Sequence, residues 1–237
     1  MLSPRVELQR LVNEATVEMF ADLRALPVAE GARSAAVLIL FGVLDAVPSA
    51  FSSSAVPGDL DVLLLARAST LRAHPGQVAF PGGRLDSGDA GPIEAALREA
   101  REETGLDPEG VDVLGMLPRV PLAYSDHLVT PVVGWWDRPT PVRAVDAAES
   151  SAVFRAPVAD LLAPARRGVT RIQRDGRTWS GPAFLVPHAA GQHVVWGFTA
   201  MLLNGLFDAL RWTEPWDRSR EIPLPAAYAG PPRGGRA

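Results

Sequence analysis

With 237 residues, 47% of them hydrophobic, and a formal net charge of −4, the chain can bury a large core and lacks the basic balance expected of a nucleic-acid partner. It has no cysteine, which excludes a disulfide framework, a thiolate zinc site and a cysteine nucleophile together, and which fits a cytoplasmic setting. All 23 basic side chains are arginine, whose planar fork suits phosphate.

Met1 to Arg10 lacks the basic-then-apolar order of a secretory signal. Val6 to Leu26 carries apolar residues at close to helical spacing, which predicts a leading helix packed on the body or on a second subunit of a homodimer. Residues 1–33 therefore read as an N-terminal helical extension. Ser34 to Val43 is rich in branched residues and predicts a central strand. The apolar run to Val47 is interrupted by Asp45, short of the ~20 residues that span a bilayer, so no membrane association is expected. Ala46–Asp59 reads as a loop, Leu60–Ala66 as a second buried strand, Arg67–Pro75 as a loop and Gln77–Phe80 as a short strand.

Gly82 and Gly83 follow Phe80-Pro81 and predict a strand leaving through a turn that permits positive φ. Asp86 and Asp89 place acceptors in the loop that follows. Pro92 suits a first helical turn, Ala95, Ala96, Leu97 and Ala100 supply small and apolar positions, and Gly105 is a C′ residue, so an acidic helix is predicted between them. On that helix Glu99, Glu102 and Glu103 stand at i, i+3 and i+4, one crowded face that Arg98 and Arg101 relieve only in part. A hard divalent cation, magnesium or manganese, is the economical partner for such acids.

Val111–Val120 and Val129–Trp136 predict two more strands, which Pro118, Pro121 and Pro131 restrict to edges or interruptions. Pro139–Ala148 is a connecting loop. Val153–Pro157 reads as a strand feeding a helix at Val158–Leu162, and Arg171–Val186 as a hairpin turning at Asp175-Gly176. Phe198–Leu210 reads as a closing helix, and the Pro and Gly content beyond Glu214 predicts a poorly ordered tail, 214–237, after a main domain of 34–213. The four histidines, His74, His127, His188 and His193, lack the spacing of a zinc site. The element order alone supports an α/β or α+β fold.

The segment Arg98-Glu-Ala-Arg-Glu-Glu-Thr-Gly-Leu106 resembles the second half of the Nudix hydrolase box in full. The first half departs, with Asp89 for a Glu and one extra loop residue. That departure resembles the coenzyme A pyrophosphatase branch of the family, as do Leu63, Leu64, Arg67, Arg72, Gly76, Val78, Phe80, Pro81, Gly82 and Gly83; Leu65 and Ala68 depart from its pattern. His127–Gly134 and Trp196–Ala200 resemble the same branch.

The resemblance implies a Nudix-type α/β/α sandwich with a mixed sheet, a catalytic strand-loop-helix and added N- and C-terminal helices. It also implies metal-dependent cleavage of the diphosphate of a small-molecule substrate, coenzyme A or a related nucleoside diphosphate derivative. Under it, Glu99 and Glu103 hold Mg2+ or Mn2+, Glu102 is a further ligand or the general base with Glu149 as the other candidate, and Arg98 orients the acids. Arg67, Arg72, Gly82 and Gly83 bind substrate. Trp135, Trp136 or Trp196 could stack an adenine or fill the core. A Nudix enzyme for ADP-ribose, suggested by Pro121 sixteen residues beyond Gly105, and a non-catalytic nucleotide-binding module are the alternatives. Isopentenyl diphosphate isomerase shares the fold, and the absence of cysteine counts against it.

Overall fold

The computed structural model describes residues 2–24, 30–43, 49–70, 75–122, 126–174, 177–188, 191–225 and 228. The expected turn at Asp175-Gly176, together with Arg72 and His74, lies outside the described residues.

The N-terminal stripe forms two helices rather than one: α1 (Pro4–Glu14), a 3₁₀ turn at Val17–Phe20, and α2 (Ala21–Arg24). Ala15 and Thr16 take extended backbone between them, so one periodic pattern is divided into two pieces that share a core. Helix α1 docks on its own chain. Leu8 is fully buried, Trp212 Nε1–H donates to Glu7 at 2.7 Å, Gln9 donates to the Leu114 carbonyl at 3.0 Å, and Arg5 pairs with Asp112.

At the centre of the main sheet β1 (Arg33–Val43) pairs antiparallel with β2 (Leu60–Arg67) and parallel with β7 (His127–Trp136). The sheet grows outward through β3 (Val78–Ala79) and β8 (Ser150–Pro157) on β2, and through β5 (Val111–Met116) and β6 (Val120–Leu122) on β7; β4 (Gly82–Arg84) pairs with β1. Strand β7 is thus interior, although it contains Pro131. The Leu117 N–H donates to the Pro131 carbonyl at 2.9 Å, where the partner strand is broken between β5 and β6. Because a strand residue points its N and O the same way, the missing proline N–H falls at that break.

Alternation along β1 builds two cores. Ile39 and Phe41 face a cluster with α1, α4 (Val158–Leu162) and α5 (Gly197–Ala209), whereas Ala36, Leu38 and Leu40 face α3 (Pro92–Thr104). Helix α3 presents Ala95, Ala96 and Ala100 to the sheet, all fully buried, so its backbone lies close to the strands. The result is the expected layered α+β sandwich. A second sheet, β9 (Arg167–Arg174), β10 (Arg177–His188) and β11 (Gly191–Val195), packs on α4 and α5. The hairpin pairing of β9 and β10 was legible in the sequence; β11 was not.

The expected tail is ordered over its first part. Val169 N–H donates to the Arg220 carbonyl and Ile222 N–H to the Val169 carbonyl, each at 2.8 Å, and Ile222 is buried on the second sheet. Glu214 accepts from Ser53 Oγ at 2.7 Å. Among the described residues no helix is long and apolar enough to cross a membrane.

Candidate active site

Helix α3 carries the acids and its termini are fixed locally. Pro92 opens it, and Gly105 closes it in the left-handed region at φ 69°, with its N–H on the Arg101 carbonyl at 2.9 Å. Loop 139–148 caps the same end: Arg143 N–H donates to the Thr104 carbonyl at 3.0 Å and Val145 N–H to that of Glu103 at 3.2 Å. The last turn, which holds Glu102 and Glu103, is therefore rigid.

The glycine pair lies in strand β4 instead of a turn, and what it provides is close approach. A Cβ at Gly83 would stand 2.3 Å from Glu99 Oε1, and one at Gly82 would stand 2.3 Å from the Ala36 carbonyl oxygen. The Gly82 N–H donates to Glu103 Oε2 at 2.9 Å. Neighbouring β4 residues thus seat Glu99 and Glu103 side by side.

Arg98 is the hub of the opposite flank. Its Nε and Nη2 donate to the two oxygens of Asp89, each at 3.0 Å, its Nη1 reaches Glu99 and Glu102, each at 3.1 Å, and its Nη2 meets the Arg84 carbonyl at 3.0 Å. The Asp89 carboxylate, 4% exposed, also accepts from the Asp86 N–H at 2.8 Å. These bonds hold its pKa below the ordinary range, Arg98 first. The sequence marked Asp89 as a loop acceptor and as a departure from the box. The structure makes it the anchor of Arg98, a role that the alternating acids of the loop could have suggested.

Burial lifts Glu99 above its ordinary pKa against the pull of Arg98. Burial lifts Glu103 further, to about 7; the Gly82 N–H and Arg67 oppose the rise, and the charges of Glu99 and Glu149 add to it. Glu102 differs. Its side chain is 58% exposed, and with Asp89, Pro92, Leu97, Arg98 and Met116 it lines an open groove of about 1030 Å³ on the outer side of α3. Of the three acids, the structure gathers two against β4 and turns the third toward Arg98.

Among the described residues no three acid or imidazole groups form a ready metal cluster. Glu99 and Glu103 still suit a hard cation. Both offer oxygen, both are uncomfortable when ionised and buried, and magnesium commonly takes only one or two carboxylates and leaves its other positions to water and phosphate. Arg67 stands at the end of β2, its N–H on the Gln77 carbonyl at 2.9 Å, with its charge felt at Glu103. Glu149 joins this side through the Ala68 N–H, which donates to its carbonyl at 2.8 Å. Trp136 and Trp196 are buried, 2% and 6% exposed, the core alternative for those rings.

A pH dependence follows. Glu103 rises from 4.5 unfolded to about 7 folded, so in metal-free protein the native state binds the extra proton between those values. Its contribution to stability is fully present below about 4.5 and is lost as pH rises through about 7, on the order of 3 kcal/mol in all. A divalent ion held by Glu103 would take the proton's place. Thermal unfolding with and without magnesium is expected to give a larger rise in Tm at pH 8 than at pH 5; equal rises would exclude Glu103 as a ligand.

Comparison with known proteins matches residues 52–173 to the NUDIX domain. A Cronobacter sakazakii protein, "Uncharacterized Nudix hydrolase NudL", is 44% identical over 149 residues, 61% of this chain and 72% of that protein. The Salmonella newport protein of the same name is 43% identical over 145 residues, with the same coverage of each chain. A solved Nudix hydrolase from M. smegmatis, RenU, is 19% identical across 79% of this chain and 91% of its own, with a TM-score of 0.47.

Proposed function

The chain belongs to the Nudix family of hydrolases, and from that premise we propose that it cleaves the diphosphate of coenzyme A or its thioesters, with magnesium or manganese, in the cytoplasm. The products are adenosine 3′,5′-bisphosphate and the matching phosphopantetheine. The observation that carries the diphosphate chemistry is Glu99 and Glu103 seated together on β4, their pKa values raised by burial. The choice of coenzyme A rests on the run from Leu63 to Gly83 and on Arg67, whose charge acts on Glu103.

Glu99 and Glu103 would hold the ion, which when bound offsets the negative charge on the diphosphate. Arg98, fixed on Asp89 by two bonds, keeps Glu99 in place. Arg67 binds phosphate oxygen, and Arg72 does the same. Hydrolysis breaks one P–O bond of the bridge; the water oxygen joins that phosphorus, its proton goes to a base, and the bridging oxygen leaves with the other phosphate.

Two acids can serve as that base. Glu102 is engaged with Arg98 on the outer groove, whereas Glu149 lies close enough for its charge to act on Glu103, so we assign the base to Glu149. Glu149→Gln is expected to lower kcat about 100-fold, and Glu102→Gln less than tenfold. The reverse order would return the role to Glu102.

The test of the whole reading is product analysis of coenzyme A incubated with the protein and each metal, beside ADP-ribose. Faster cleavage of ADP-ribose would refute the substrate. Binding of either without turnover would make the protein a nucleotide-binding module.

A further inference from the structure

Three buried donors on one side of the site have no hydrogen-bond partner among the described residues: Arg67 Nε, Trp196 Nε1 and the Tyr228 hydroxyl. They come from distant parts of the chain, the end of β2, the residue before α5 and the C-terminal segment. The structure nevertheless brings them to one neighbourhood. Gln77, whose carbonyl accepts the Arg67 N–H, lies with its amide nitrogen 3.4 Å from where a Cβ would stand on Gly197. Gly197 follows Trp196, and the Trp196 ring meets Tyr228 edge-on with centroids 4.7 Å apart. Thr199, in the first turn of α5, ties the helix to the Val78 carbonyl at 3.0 Å.

The charge of Arg67 acts both on Glu103 and on the Tyr228 hydroxyl, so it spans the acids and the C-terminal segment. The adjoining start of α5, a helix of 13 residues, has no side-chain cap, so its first N–H groups gain no acceptor from a capping side chain.

Three unpartnered donors, one of them cationic, beside an uncapped helix N-terminus lack an acceptor. The geometry points to an anion subsite in which Arg67, Trp196 and Tyr228 take a phosphoryl oxygen of the substrate, with Tyr228 delivered by the C-terminal segment. This rests on the diphosphate reading above and adds to it a specificity-determining wall to which Tyr228, beyond the segments that resemble the family, contributes. Local bonds and packing hold the segment in that position. The Tyr228 N–H donates to the Pro225 carbonyl at 2.8 Å, and Ile222 and Leu224 pack with Tyr228 in the same small cluster as Trp196.

The test uses the full chain in chelator and titrates inorganic pyrophosphate by calorimetry. Wild type is expected to bind. Tyr228→Phe keeps the ring against Trp196 and removes only the hydroxyl; it is expected to weaken pyrophosphate about tenfold and to raise KM for coenzyme A by a similar factor, with the loss in KM rather than kcat. Arg67→Gln is expected to weaken pyrophosphate further, and the hydroxyl to matter less in that background because both act on one ligand. Failure of wild type to bind pyrophosphate, or unchanged affinity in Tyr228→Phe, overturns the subsite. Lack of turnover on every diphosphate refutes the enzymatic reading alone, since the metal-free titration still decides the subsite. Normal turnover with an unchanged KM in Tyr228→Phe refutes the subsite alone.

Discussion

Glu103→Gln is expected to lower turnover of coenzyme A by at least about 100-fold and, at pH 8 without metal, to leave the protein no less stable than wild type. The two effects have one cause. The Glu103 carboxylate is held out of water beside Glu99 and within reach of Glu149, and burial is the largest contribution to its raised pKa. Glutamine keeps the size, and its side-chain oxygen can still accept the Gly82 N–H, so nothing in the packing is disturbed. What disappears is half of the anionic charge that α3 presents on β4, and with it the attraction for a cation. Kinetics at saturating magnesium, set beside thermal unfolding in chelator, would measure both. A variant with wild-type turnover would remove Glu103 from the site, and one that unfolds at low temperature would make its role structural.

Gly82→Ala is expected to act on the fold. A Cβ there would stand 2.3 Å from the Ala36 carbonyl oxygen and 2.7 Å from the Val37 Cα. Both are backbone atoms of a buried central strand, so no rotamer change relieves the clash and β4 must separate from β1. A loss of about 3 kcal/mol, or roughly 10 °C in Tm, follows for a domain of this size. Activity should fall with it, because the same residue's N–H holds Glu103. Denaturant unfolding of the variant measures the loss; a midpoint equal to that of wild type would mean that β1 and β4 separate without cost.

Periodicity and turn chemistry carried much of this architecture. The branched run of β1, the alanine face of α3 with Gly105 after it, and the short helix at Val158–Leu162 are local statements, and local patterns settle them. The box acids were equally plain, because a three-and-four spacing on a helix has few solutions. What escaped depends on distant partners. The stripe from Val6 could not reveal the break at Ala15 and Thr16, since Leu8 on one piece and Phe20 and Leu23 on the other enter the same core. Strand β11 is short and exposed at its start, and only its pairing with β10 defines it. The C-terminal segment looked disordered by composition, yet its ordered part is fixed by backbone bonds to Val169, which lies some fifty residues away. Glu102 shared the spacing of Glu99 and Glu103, and what separates it is that β4 packs on those two and leaves Glu102 exposed.

The parallel pairing of β1 with β7 joins residues 33–43 to residues 127–136, with the whole acid-bearing loop and helix between them. Such a closure is entropically slow, and it orders the events of synthesis. As the chain leaves the ribosome, α3 emerges well before the strand that completes the sheet beneath it. The helix can acquire its final seat only after Trp136 has been made, so its acids come together only after the synthesis of α3 itself is complete.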